Sequence, residues 1–464
     1  MASSSQTPAL LLERISARLR SERWFLGLLV LAFFLPLWLS RAGETVFVGL
    51  PLITSGDEPH YLVMIHSLID DGDFDLDNNY LAARQGALDV GRGRAGVPLD
   101  RHVEWYGADG KPYEWSQIFE YEKLDPAQPQ LRAQVPRLKP GAQSEFVGRP
   151  QYSQHPPGLA ALLTPVLYPF RGTRWVEHFA LFFAEISGFL LALAVRAVYR
   201  TLSSDRGLVN TATLITVLCS PLWYYGRTLF SEPWLALFAV AALACALRRE
   251  WFFVSGLLIA LGMQMKPPFA LFALPLAVDR LLARDVRGLI SFSLPVAASF
   301  GLVLASNQHF FGSPLHSAQP WASGNPFVGL LGLLFSWNHG LVLFSPVIVL
   351  AALGFRQLLR AHRRLAWLSA GMFVPYFLLM SLWRVWDGGY CYGPRLIAPT
   401  IPFAFFGIIK VLETLHQRSL AFQRRAAALC GVSFLISALG AILHLAFWNN
   451  HPLVGPFIAL AKAL

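Results

Sequence analysis

The sequence predicts an all-α polytopic membrane protein, and three observations carry that prediction. The 464 residues are 55% hydrophobic and only 14% charged, with a mean hydropathy of +0.46. A soluble chain carries about 25% charged residues. Apolar runs long enough to cross a bilayer recur along the sequence, separated by Arg-rich or Pro/Gly-rich links. Repeated spans of this kind are helices, because lipid leaves backbone polar groups no other partner. Finally, Lys and Arg gather on alternate links. That pattern makes the net charge of +10 a statement about topology and argues against a nucleic-acid patch.

The N-terminus, 1–23, is basic through Arg14, Arg18, Arg20 and Arg23 and is expected on the cytoplasmic side. The first span is expected at 24–40. No small-residue cleavage site follows it, so it reads as an uncleaved span rather than a signal peptide. A long polar segment, 41–174, then lies outside. Ten further spans are expected within 175–447, at roughly 175–199, 207–225, 233–248, 251–265, 267–283, 288–306, 340–357, 365–383, 396–413 and 426–447. This makes about eleven spans, N-terminus in and C-terminus out, with a tail at 448–464. The link 307–339 carries no positive charge; Arg227, Lys266, Arg384 and Arg395 are the exceptions on the outer face.

The run "HPPGLAALLTPVLYPF", 155–170, is too short for a span and would invert every later link if counted as one. It is expected to form a helix lying at the outer membrane surface, opened by Pro156 and Pro157. The cysteines Cys219, Cys245, Cys391 and Cys430 lack metal or redox spacing and read as small buried hydrophobes.

Polar residues on the outer side are the candidate site. In "SGDEPHYL", Asp57 and Glu58 suit either a helix start, capped by Ser55 or Asp57, or a carboxylate base at the water–membrane boundary. The run "DGDFDLDNNY", 71–80, lacks the glycine and distal glutamate of a calcium loop and reads as a polar turn. Lys266 breaks the apolar run "GMQMKPPFAL"; it either snorkels to the interface or meets a lipid phosphate. "LWRVWDGGYCYGPRL" sets Arg384, Asp387, Tyr392 and Arg395 among glycines, a composition suited to binding an anionic ligand. In "YYGRTLFSEPW", Arg227 and Glu232 form either an ion pair or part of a site. His155 and His339 suit interface packing and substrate contact equally.

These features together resemble the GT-C glycosyltransferases: Asp57–Glu58 after the first span, the large first outer loop, the HPPG segment, Lys-Pro within "GLLIALGMQMKPP" and the late "GGYCYGPRLIAP". The likeness is to the bacterial branch around protein O-mannosyltransferases and lipid A aminoarabinose transferases. It implies a single GT-C-like domain, 1–464, with 41–174 as a periplasmic loop carrying surface helices. It also implies inverting sugar transfer from a polyprenyl-phosphate donor to a lipid, glycan or protein hydroxyl at the periplasmic face of the inner membrane. Asp57 would be the base and Glu58 its orienting neighbour. Lys266, Arg395 and Arg384 would hold the donor phosphate. His155, Arg227, Glu232, His339, Asp387 and Tyr392 would contact substrate. Glu232 stands where relatives often carry Asp, which leaves a divalent metal ion open. The soluble C-terminal module of some relatives is expected to be absent, since only 448–464 follow the last span. A transporter or flippase for a lipid-linked or anionic substrate is the alternative. It would need charges along a mid-span path, whereas these gather on one face. A non-catalytic sugar-lipid binder or scaffold is the third reading.

Overall fold

A computed structural model describes residues 17–46, 57–84, 105–106, 112–113, 119–121, 136–138, 151–173, 175–248, 250–316, 321–389 and 391–442. It divides into two compact units. One comprises Met1–Ala42, Ala184–Gly301 and Trp321–Leu464; the other comprises Gly43–Phe183 and Leu302–Pro320.

In the unit containing Gly43–Phe183, α2 (Glu58–His66) runs into a π turn at Ser67–Asp71, and α3 (Asp77–Arg84) follows. Two small antiparallel pairs come next: β1 (Trp105–Tyr106) with β2 (Pro112–Tyr113), and β3 (Phe119–Tyr121) with β4 (Pro136–Leu138). The expected surface helix is α4 (Gly158–Leu167), starting directly after Pro157 and closing in a 3-10 turn at Tyr168–Phe170. It buries Leu159, Ala160, Leu163 and Leu167 at helical spacing and packs on α2, whose residues are all buried, while Val166 and Tyr168 are exposed.

Of the remaining helices, α1 (Glu22–Val46) covers the expected first span and α5 (Trp175–Tyr199) matches the second. The expected span 207–225 is two helices, α6 (Arg206–Leu218) and α7 (Leu222–Tyr225), because Pro221 cannot continue the hydrogen-bond ladder. α8 (Glu232–Ala246) and α9 (Phe252–Met265) agree with expectation. The span 267–283 begins as a 3-10 turn, Pro267–Phe272, before α10 (Ala273–Leu282), and α11 (Val286–Phe311) extends past its expected end.

The link 307–339 is not featureless: it holds α12 (Pro326–Phe335), capped by Asn325 through bonds from the Phe327 and Val328 amides. The span 340–357 is broken at Ser345–Pro346 into α13 (Leu341–Phe344) and α14 (Ile348–Ala361). α15 (Arg363–Leu382) is continuous. The span 396–413 is a 3-10 turn (Arg395–Thr400), α16 (Ile401–Phe405) and α17 (Ile408–Glu413), interrupted at Pro399 and Gly407. α18 (Leu420–Ile442) closes the described chain; the expected tail at 448–464 lies outside the described residues. Long apolar segments able to cross a membrane by length and composition are 175–199, 286–311, 363–382, 395–413 and 420–441.

Packing in the larger unit follows membrane rules, in which small residues let helices approach because lipid offers no hydrophobic drive between them. α14 and α17 touch through Gly354 and Gly407: a Cβ at Gly354 would lie 2.0 Å from the Gly407 carbonyl oxygen, and one at Gly407 would lie 2.1 Å from that of Ala351. Phe25, Leu29 and Phe33 of α1 pack with Ala192, Val217 and Trp223, and the Trp223 indole donates to the Ala32 carbonyl at 2.7 Å. At the basic end Arg196 forks onto Glu22 through Nη1 and Nη2, at 2.6 and 2.5 Å, and donates through Nε to Asn210. That guanidinium holds the Glu22 carboxyl below its ordinary range. Cys219 and Cys391 are buried as expected, whereas Cys245 and Cys430 are only partly covered.

Candidate functional site

Asp57 occupies the N-cap position of α2, with Pro59 in the first turn, yet its side chain makes no capping hydrogen bond. The expected cap is therefore positional only, and Ser55 lies outside the described residues. Asp57 is half-buried and Glu58 is buried. One turn on, His60 shares a 2.7 Å hydrogen bond with the Tyr80 hydroxyl. His155 stacks on His60, ring centroids 5.9 Å apart and 22° between planes, and lies 5.3 Å from the Tyr61 ring.

The acidic run places His155. Asp75 accepts from the Gln151 amide at 2.8 Å, and Asp77 accepts from the Gln151 side chain at 2.9 Å. Asp71 accepts from Asn78 and Asn79, and Asp73 from Ser67. These carboxylates lace the turn and fasten the segment before "HPPG" to it. His60 and Tyr80 were missed from the sequence; the spacing of His60 one helical turn beyond Asp57 was the available signal.

In the other unit, Glu232, Lys266 and Arg395 converge. Lys266 interrupts the chain in an extended conformation, φ −150° and ψ 110°, between α9 and the Pro267–Phe272 turn. Arg395 opens the 3-10 turn at 395–400, which packs against α8, and Glu232 is the first residue of α8. Lys266 Nζ donates to Glu232 Oε1 at 2.6 Å, and Arg395 Nε donates to the same oxygen at 2.9 Å. Glu232 is fully buried, Arg395 nearly so, and the Lys266 side chain is 20% exposed. The Arg395 guanidinium lies 4.0 Å over the Phe230 ring, a desolvated cation–π contact that sequence reading missed.

Of the two roles open to Glu232, ion pair or site, this cluster combines both, and Arg227 donates to the Ala441 carbonyl. Two cations on one oxygen make Glu232 a poor ligand for a divalent metal, and the described residues hold no group of three or more His, Cys, Asp or Glu that could bind one.

The late loop is built on glycines. Gly393, at φ +56°, lets the chain turn against Phe344. His339 Nδ1 donates to the Gly393 carbonyl at 3.1 Å. Burial lowers the His339 imidazole below its ordinary range, outweighing that bond and the nearby Asp387. Asp387 accepts from the Gly389 amide at 3.2 Å. Tyr392 is buried against Tyr224 and Phe344, and its hydroxyl donates to the Ile436 carbonyl at 3.0 Å. Arg384 is exposed, outside the Glu232 cluster, on a stretch whose amide donates to the Ala322 carbonyl at 2.7 Å.

No protein-family model matches the chain, and no curated protein matches it. Among solved structures, ArnT from Cupriavidus metallidurans in the apo state is similar, with a TM-score of 0.52 and 15% identity over 95% of this chain and 69% of that one. ArnT bound to undecaprenyl phosphate gives a TM-score of 0.51 and 16% identity over 95% of this chain and 80% of that one. ArnT is a lipid A aminoarabinose transferase of the GT-C superfamily. The broken apolar helices and the likeness to ArnT along nearly the whole chain make this a multi-pass membrane protein with the GT-C fold.

Proposed function

We propose that the chain is an inverting GT-C-type glycosyltransferase, moving a hexosyl or pentosyl group from a polyprenyl-phosphate donor to an acceptor hydroxyl at the periplasmic face of the bacterial inner membrane. The observation that carries this reading is the meeting of Lys266 and Arg395 on buried Glu232, where apolar helices break. Two cations held in a poorly hydrated place are suited to an anionic lipid headgroup. ArnT, which shares the fold, has been solved with undecaprenyl phosphate bound.

In the proposed reaction, Asp57 takes the proton of the acceptor O–H as that oxygen attacks the anomeric carbon. The new C–O bond forms opposite the breaking bond to the phosphate oxygen. The electron pair of the broken bond leaves with polyprenyl phosphate, and the configuration inverts. Lys266 and Arg395 stabilise the charge that grows on the phosphate. Glu58, buried beside Asp57, orients the base. Arg384 and Asp387, on the glycine loop, and His155 are assigned to substrate contact. Tyr392, His339 and Arg227 each donate to a backbone carbonyl, which fits a role in shaping the site.

The test is Asp57→Asn. The variant should retain its melting temperature and co-purify with a lipid-linked sugar, whose mass in native mass spectrometry identifies the donor. Its transfer rate should fall by roughly 10²- to 10⁴-fold, as expected for a lost general base. Product formation at the wild-type rate removes Asp57 from the mechanism, and absence of any polyprenyl lipid from both proteins removes the donor class.

A further inference from the structure

Glu232 is an unexpected member of a cation site. It is fully buried, and one of its oxygens accepts from both Lys266 and Arg395. Its place at the first position of α8 adds the positive end of that helix, which favours a carboxylate there. With both bonds charge-assisted, the carboxylate is held ionised, and the cluster carries one net positive charge rather than two.

The two lipids of the proposed reaction differ in this respect. A sugar joined through phosphate to a polyprenol is a phosphodiester with a single negative charge. The lipid released after transfer is a phosphomonoester, whose second ionisation near pH ~6 brings it close to two. A site of one net positive charge matches the donor and under-compensates the product. We infer that Glu232 is a positioning and charge-setting residue that makes this site prefer the singly charged phosphodiester lipid over the doubly charged phosphomonoester, and so promotes product release. This inference rests on the Lys266–Arg395 pair being the donor-phosphate site.

The experiment uses the purified full-length chain in lipid nanodiscs at pH 8. Two probes share one tail: farnesyl phosphate, a dianion, and farnesyl methyl phosphate, a monoanion. Wild-type protein should bind the diester at least as tightly as the monoester. Glu232→Gln should improve monoester affinity by about tenfold relative to the diester, since it removes one repulsive charge at close range. Glu232→Asp, which keeps the charge, should keep the wild-type ratio.

If Glu232→Gln changes both affinities by the same factor, in either direction, Glu232 is only a structural brace and the inference fails. It also fails, without any variant, if wild-type protein prefers the monoester by tenfold. Lys266→Ala tests the underlying reading separately: it should weaken both probes together. Unchanged binding of both would remove the phosphate site itself, whatever Glu232 does.

Discussion

His339 shows how one buried side chain couples the late loop to pH. Its Nδ1–H donates to the Gly393 carbonyl, and its ring meets Trp386 edge-on at 6.3 Å. Burial holds its folded value below that of a free histidine, about 6.5. Between those two values the unfolded chain binds more protons than the folded one. The stabilisation is therefore complete above pH ~6.5 and is lost as pH falls through the lowered folded value. His339→Gln keeps a donor for Gly393 but removes the titration. Thermal melts at pH 7.5 and 5 should lose less stability in the variant than in wild type; an equally steep acid loss assigns the slope to other groups. Lys266 and Arg395 were legible in the sequence because a positive charge is conspicuous on a link otherwise nearly bare of Lys and Arg. Their common partner was not, since Glu232 lies 34 and 163 residues away and only folding brings it to them.

Helices were legible wherever length and apolar content sufficed, as in α5, α8, α9 and α15. Breaks within spans were harder to read. A run such as 396–413 keeps one hydropathy while its backbone changes from a 3-10 turn to two short helices. The short helix α12 escaped notice although Asn325 and Pro326 form a standard start signal, because its ten residues fall well below span length. The Gly354–Gly407 contact offers a test at this scale. Gly407→Ala drives a methyl into the Ala351 carbonyl and should cost about 1–3 kcal/mol by forcing α14 and α17 apart. Gly431→Ala, where a Cβ meets nothing within 4 Å, is the control and should leave the melting temperature unchanged or raised. Equal effects from both would mean that the close approach contributes little.

Across the whole chain, the alternation of charged and bare links predicted a multi-pass architecture, and the likeness to ArnT extends over 95% of the residues. Identity of 15% is too low for the side-chain pattern to carry that likeness. The likeness is carried by the course of the backbone, which in this chain is an order of long, short and broken apolar helices. Short helices are the part of this order that hydropathy alone understates, because a 10- to 15-residue run reads equally well as a buried or an interfacial segment.

Those short helices also set a depth. α8 has 15 residues and α9 has 14, so they rise about 21–23 Å. A hydrocarbon core measures ~30 Å. Glu232 begins one of these helices and Lys266 follows the other, so on the proposed topology the pair forms a notch below the outer headgroup plane, or else the bilayer thins to meet it. Either way, a phosphate reaching them must dip, and the cost of dipping grows with acyl-chain length. Transfer measured in nanodiscs of 14-, 18- and 22-carbon lipids should slow as the membrane thickens, with Km rising before kcat falls. A rate indifferent to thickness would mean that the notch opens to water rather than to lipid.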